Sequence, residues 1–252
     1  MKRIQKPQNL TRAGTDVNLI FRKQIFVGTR MIELFDEWPE QYDRWFQTPI
    51  GSLVKKYETA LILDLLKPSP RERILDAGCG TAVFTADILD TGSEVVGLDV
   101  SLPMLKRAKS KGYASLQILQ GDILRIPFCA GSFEKTVSIT ALEFIEDGKR
   151  AIQELFRVTK PKGTVVVATL NGLSPWAVQR KAKAKAGHSL FSRAIFRNPG
   201  ELNALGPFAG IRRTAIHFQK EEGVQRAQEL EEEGRKRDLE TGAFLAVRWK
   251  KP

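Results

Sequence analysis

Ile74-Leu75-Asp76-Ala77-Gly78-Cys79-Gly80-Thr81 is an apolar run that ends on an acid and two glycines one residue apart. Glycine accepts positive φ and has no Cβ, so such a stretch can turn sharply and let another group approach its backbone. The reading is a strand over Arg73–Ala77, a tight turn, and a helix over residues 81–90. The first N–H groups of that helix would lack intrahelical partners. Further strands follow over Glu94–Asp99, Leu116–Gln120 and residues 135–140, and a β-branched run over 164–170 has the character of a buried parallel strand. Helices are expected between them, over 101–111 with Ser101 as N-cap, and over 147–160, stopped by Pro161.

Strand and helix alternating at this spacing imply βαβ units, hence a doubly wound α/β domain with a mostly parallel sheet. Right-handed crossovers then align the strand C-termini along one rim, where open α/β sheets bind ligands. Upstream, Phe35, Trp38, Tyr42 and Trp45 recur at helical spacing. Pro49 interrupts, and Leu53, Tyr57, Ala60, Leu61 and Leu65 mark a second helix ending near Pro68. Residues 171–210 read as an insertion over the ligand rim, with Arg180, Lys181, Lys183 and Lys185 in a stretch free of acids until Glu201. Residues 211–218 and 243–249 read as closing strands. The densely charged segment 220–240 between them reads as a solvated helix.

The net charge is +11, and its distribution limits what it can mean. Residues 1–30 carry seven Lys/Arg and one Asp, so +6 of the excess lies on a leader without periodicity, read as a poorly ordered basic arm. Helical patterning begins at Met31. Two cysteines, Cys79 and Cys129, supply neither a disulfide framework nor a metal cluster, and no metal is expected. No apolar run is long enough to span a bilayer, and no secretory signal is recognised. A reducing, cytoplasmic setting is therefore expected.

The chemistry is expected just after the strands. Asp76, two residues before the first glycine, can meet a cationic amino group and would be misplaced beside a pyrophosphate. Val83 also replaces the third glycine of the dinucleotide fingerprint, which disfavours a nicotinamide-dependent oxidoreductase. Asp99 ends the next strand and can accept hydrogen bonds from both hydroxyls of a ribose. In Gln120-Gly121-Asp122-Ile123, Asp122 can accept from an adenine amine and Ile123 can wall the ring. The fourth strand opens at Ser138-Ile139-Thr140-Ala141-Leu142-Glu143-Phe144 onto the same rim.

Together these features resemble the class I S-adenosylmethionine (SAM)-dependent methyltransferases, over roughly residues 35–170. Asp76-Ala77-Gly78-Cys79-Gly80 is similar to their D-x-G-x-G motif, Asp99 to their ribose-binding acid and Asp122 to their adenine-contacting acid. Val158-Thr159-Lys160-Pro161-Lys162-Gly163 resembles the turn before their fifth strand. The Phe35-Asp36 and Tyr42-Asp43 stretch is similar to the N-terminal lid of the ubiquinone/menaquinone-biosynthesis branch. The resemblance implies a seven-stranded Rossmann-like sheet with lid helices, a methyltransferase domain over 31–252, and SAM as cofactor. It implies cofactor contacts from Asp76, Ala77, Gly78, Cys79, Gly80, Asp99, Val100, Met104, Asp122, Ile123 and Thr140.

Many relatives carry His in the loop after the fourth strand, whereas this chain has Glu143-Phe144. No catalytic residue is therefore assigned, and Tyr42, Glu143 and His188 are the candidates. His188, with Phe191, Arg193 and Phe196, could line an acceptor pocket containing an anion-binding Arg, whereas His217 reads as structural. A small-molecule acceptor is expected. The alternatives are an RNA methyltransferase contacting phosphates through the arm and Arg180–Lys185, and a SAM-binding or partner-activating protein without catalysis. Thiol or arsenic methylation is disfavoured, because Cys79 sits inside the glycine motif.

Overall fold

The structure is a computed structural model and describes residues 39–185 and 190–252. The basic leader, the helical start at Met31, Phe35, Trp38 and His188 lie outside the described residues. In chain order the elements are α1 (Pro39–Trp45), α2 (Pro49–Leu66), β1 (Arg73–Ala77), α3 (Thr85–Leu89), β2 (Glu94–Asp99), α4 (Leu102–Ser110), β3 (Leu116–Gln120) and β4 (Phe133–Ile139). They continue with α5 (Gly148–Val158), β5 (Thr159–Leu170), α6 (Pro175–Lys185), α7 (Pro199–Ala204), β6 (Ile211–Ala215), α8 (Val224–Lys236) and β7 (Phe244–Lys250). The strands form one seven-stranded sheet in the order β3-β2-β1-β4-β5-β7-β6. Strands β1 to β5 pair in parallel, and β7 runs antiparallel between β5 and β6.

Period-2 alternation divides the core. On β5, Val166 and Ala168 face one side with Ile62 and Leu66 of α2 and Ile88 of α3. Val165 and Val167 face the other with Ile152, Leu155 and Val158 of α5. A strand buried on both faces must be apolar at nearly every position, which is why residues 164–170 read as they do. The order reverses between β1 and β4, so the switch point of the sheet lies beyond Ala77 and Ile139.

Several expected boundaries shift for local reasons. Pro49 begins α2 at its first turn rather than interrupting, with the Thr48 hydroxyl accepting from Gly51 N. The helix expected from residue 81 begins only at Thr85, because Ala82 adopts φ 62°, which a right-handed helix excludes. The helix expected to run to Pro161 ends at Val158, and Thr159 already belongs to β5. The Thr159 hydroxyl donates back to Leu155 O, and Thr159 pairs with Phe133 before the register shifts. Pro161, which has no N–H, falls in that irregular stretch. The strand expected over 211–218 stops at Ala215, where Ile216 takes φ 64°. The charged helix is α8, and it is not solvated all round. Its Ala227, Glu231 and Gly234 are buried, and Glu231 Oε2 accepts from His217 N and lies 3.1 Å from His217 Nδ1.

Candidate functional site

Asp76 is the penultimate residue of β1, at 2% exposure. Its Oδ2 accepts the Thr85 hydroxyl at 2.6 Å, while Oδ1 is buried with no hydrogen-bond partner. Burial pushes its pKa up to about 7, the Thr85 hydroxyl opposes this and nearby Asp99 adds to it. An unpaired buried carboxylate oxygen costs free energy that a bound donor would recover.

The glycine turn is held by β2. Gly78 N and Cys79 N both donate to Leu98 O, and Gly80 N donates to Asp99 Oδ2 at 2.8 Å. Asp99 Oδ1 accepts from Ser101 N at 2.9 Å. Asp99 therefore organises the turn itself through both carboxylate oxygens. The two glycines differ in what demands them. At Gly78, φ is +84° and an added Cβ would lie 2.4 Å from Ala141 Cβ, so the close approach is to the loop after β4. At Gly80, φ is +53° and an added Cβ would enter open space. Gly78 N, Cys79 N and Gly80 N are thus engaged with Leu98 and Asp99, and the helix begins only at Thr85.

The other expected residues sit along the same rim. Ala77 is fully buried and Cys79 is 8% exposed, with burial raising its thiol pKa. Val100 is exposed at the end of β2, Met104 is buried in the first turn of α4, and Ile123 is buried. Asp122 is exposed and caps the 3₁₀ turn Ile123–Arg125 by accepting from Leu124 N. Thr140 follows β4 in a left-handed conformation, φ 49°, and its side chain acts on the Tyr42 hydroxyl, opposing the rise in pKa that burial causes. An orphaned Asp76 oxygen, the open space at Gly80, and the Val100–Ile123 flank beside Asp99 fit SAM's ammonium, backbone approach, and ribose with adenine.

Helix α1 covers the turn. Asp43 Oδ1 accepts the Thr81 hydroxyl at 2.6 Å and Lys111 Nζ at 3.2 Å, and Oδ2 accepts Arg107 Nε at 2.9 Å. Burial alone would raise the Asp43 pKa, but the Thr81 hydroxyl and the two cations hold it below the usual carboxylate value. Tyr42 and Phe46 pack edge to face, as do Phe46 and Phe84. A groove of about 500 Å³ lies between Arg44 of α1 and Arg107 of α4, and it is lined by none of Asp76, Asp99 or Asp122.

The connection from β5 to β6 closes the other side. Arg180, which the RNA-methyltransferase alternative would give to phosphate contacts, lies between the rings of Trp176 and Phe191, and its Nη1 is buried without a hydrogen-bond partner. Lys181 and Lys183 are exposed. Arg193, which the sequence left open between a pocket with His188 and a surface cover, is also exposed. The inward cations are Arg180 and Arg197, the latter donating to Leu142 O and Ile145 O.

Glu143 is fully buried. Its Oε2 accepts from Thr169, its Oε1 has no hydrogen-bond partner, and burial raises its pKa to about 7. Glu58 on α2, which the sequence reading missed, is 7% exposed and is raised to about 8, mainly by burial. A glutamate at an otherwise apolar helical position, between Tyr57 and Leu61, was the available signal.

The family model for a methyltransferase domain matches residues 75–167. The demethylmenaquinone methyltransferase of Beutenbergia cavernae is 33% identical over 57% of this chain and 59% of that protein. The malonyl-[acyl-carrier protein] O-methyltransferase of Salmonella typhimurium is 32% identical over 68% of this chain and 76% of that protein. The chain thus spans less than two thirds of the first relative's length. A SAM-dependent methyltransferase from Thermotoga maritima superposes with a TM-score of 0.64 at 22% identity, covering 87% of this chain and 99% of that one. One from Mesorhizobium loti superposes with a TM-score of 0.54, also at 22% identity, over 76% and 96% of the two chains. These two likenesses concern the fold.

Proposed function

Because this chain belongs to the SAM-dependent methyltransferases, we propose that it moves a methyl group from SAM to a small-molecule acceptor. The observation that carries this reading is the convergence, beyond β1 and β2, of the unpartnered Asp76 oxygen, the open backbone face of Gly80 and Asp99. Asp76 would pair with the cofactor's ammonium and Asp99 would hold its ribose. Asp122 would accept from the adenine amine between Val100 and Ile123. SAM, once bound, supplies a methyl on a sulfonium, a carbon already activated for in-line displacement. The protein's part is to align an acceptor with it and exclude water, which can lower the barrier by several kcal/mol. Helix α1, latched by Asp43, and the cover from residues 171–210 would do both, within a working domain over 31–252. The inward turn of Arg180 removes one cation from the RNA-binding alternative. Among the described residues no helix is long and apolar enough to cross a membrane. Cys79 and Cys129 are both free thiols, which supports work in the cytoplasm.

Titration calorimetry with S-adenosylhomocysteine (SAH), with NADH as control, tests the reading. Micromolar binding of SAH alone is expected, weakened about tenfold or more in Asp99→Ala, since a hydrogen-bonded charged group typically contributes about 1.5–3 kcal/mol. No SAH binding, or unchanged affinity in the variant, overturns it.

A further inference from the structure

Three charged side chains from separate elements converge between the switch point and the β5–β6 connection: Glu58 of α2, Glu143 after β4, and Arg180 of α6. Arg180 sits 5.1 Å from the Trp176 ring centroid and 5.0 Å from that of Phe191. No ion pair joins it to either glutamate, although both act on its charge. Arg180 Nη1 and Glu143 Oε1 are each buried without a hydrogen-bond partner. An unmet donor and an unmet acceptor in one buried cluster weaken a fold that apolar residues would fill at lower cost. Packing therefore does not account for them.

Their location does. Glu143 follows Thr140 by three residues, and both act on the Tyr42 hydroxyl of α1. A further unpartnered buried hydroxyl, Ser138 Oγ, lies 4.0 Å from where a Cβ on Gly78 would stand. The unmet groups thus run from the glycine turn, through the end of β4, to the cover.

We propose that Arg180 and Glu143 form the acceptor-oxygen site and take an acceptor bearing an acidic hydroxyl, a phenol or an enol, which is methylated on that oxygen. This rests on the methyltransferase reading above. Arg180 Nη1 donates to the oxygen, and Glu143 Oε1 accepts its proton. The O–H bond breaks toward Glu143, and the oxygen's electron pair forms the O–CH₃ bond as the methyl's bond to sulfur breaks. The products are the methyl ether, SAH and a protonated Glu143, which returns its proton to solvent.

The pairing selects the acceptor's chemistry. A carboxylate would satisfy Arg180 but face an ionised Glu143 oxygen and bring no proton. A cationic amine would satisfy Glu143 but oppose Arg180. A neutral hydroxyl meets both. Glu143 is faced by Arg180, Arg197, Thr169, Tyr42 and Glu58, and burial sets it near neutrality, where a general base works best. With Glu58 protonated, the charge of Glu143 balances that of Arg180 before the acceptor enters.

The test uses the full chain and three probes that share a naphthalene ring: 2-naphthol, 2-naphthoate and 2-naphthylmethylammonium. Each is titrated into the SAH complex and then incubated with labelled SAM. Binding and ether formation with 2-naphthol alone are expected. Glu143→Gln should lower kcat by about a hundredfold or more, the usual contribution of a general base, and remove the acid limb of the pH–rate profile. Its SAH affinity should stay within about twofold, which shows that the variant folds. Arg180→Lys should mainly raise KM. Equal or better binding of the carboxylate or the ammonium, no binding of any probe to the SAH complex, or an unaltered kcat in Glu143→Gln overturns the proposal. Failure of the wild-type protein to bind SAH would instead sink the methyltransferase reading.

Discussion

Asp76 shows how one residue carries two opposed demands. Its burial, with one oxygen bonded to Thr85 and the other unmet, raises its pKa to about 7. A bound ammonium favours the ionised form, so below about pH 7 binding must expel a proton and the affinity falls. SAH should therefore bind more weakly as pH drops from about 8 to about 6, by up to about tenfold per unit. Calorimetry in buffers of different ionisation enthalpy reads the released proton. Asp76→Asn should bind weakly with no such slope, and a flat profile in the wild type would remove Asp76 from the ammonium site. At this scale the types and positions of Asp76, Asp99 and Gly80 were legible in the sequence, because strand–turn spacing places them. That Asp99 also ties down the glycine turn through Gly80 N was not, since that bond joins two strands' ends.

Among the elements, α1 is tied by one carboxylate to the glycine turn and to α4. Asp43 joins it to Thr81 of the glycine turn and to Arg107 and Lys111 at the end of α4, and removing it strands two cations. Asp43→Ala is expected to speed SAH dissociation roughly fivefold or more, as losing about 1 kcal/mol or more of latch implies. Stopped-flow displacement measures this, and hydrogen exchange should show α1 amides opening faster while those of β4 and β5 are unchanged. An unaltered dissociation rate would mean that α1 does not retain the ligand. Aromatic periodicity announced the helix, but not its partner, since Asp43 and Arg107 are separated by 64 residues. Helix α8 failed to be legible in the opposite sense. Its charges hid the buried face at Ala227, Glu231 and Gly234, because Glu231 is admitted to the interior only by His217.

Across the whole molecule, buried acids set the pH dependence of stability. Asp76 and Glu143 are raised to about 7 and Glu58 to about 8, from ordinary values of 3.8, 4.5 and 4.5. Between those limits the native state binds more protons than the unfolded chain, so stability falls as pH rises, by at most about 1.4 kcal/mol per unit for each group. His217 acts with the same sign. Burial lowers its pKa, but the Glu231 carboxylate more than offsets this and holds it above 6.5. Its contribution is present below that value and is lost as pH rises through the raised one. Asp43, Glu134 and Glu154 are lowered, so their contribution is present above their ordinary values and lost only in acid. The urea midpoint of the ligand-free protein should therefore decline from about pH 5.5 to about pH 8. A rising or level midpoint would show that these acids are ionised and solvated.

The sequence by itself determined the doubly wound sheet and the rim of acids beyond its strands. Both follow from periodicity and from residues a few positions apart, where the chain's covalent geometry does the placing. Only the tertiary structure decided that Arg180 turns inward between Trp176 and Phe191, that Glu58 and Glu143 approach it, and that Asp43 fastens α1. These groups meet across long separations, and whether a charge faces water or its opposite depends on how helices from distant parts of the chain pack against the sheet.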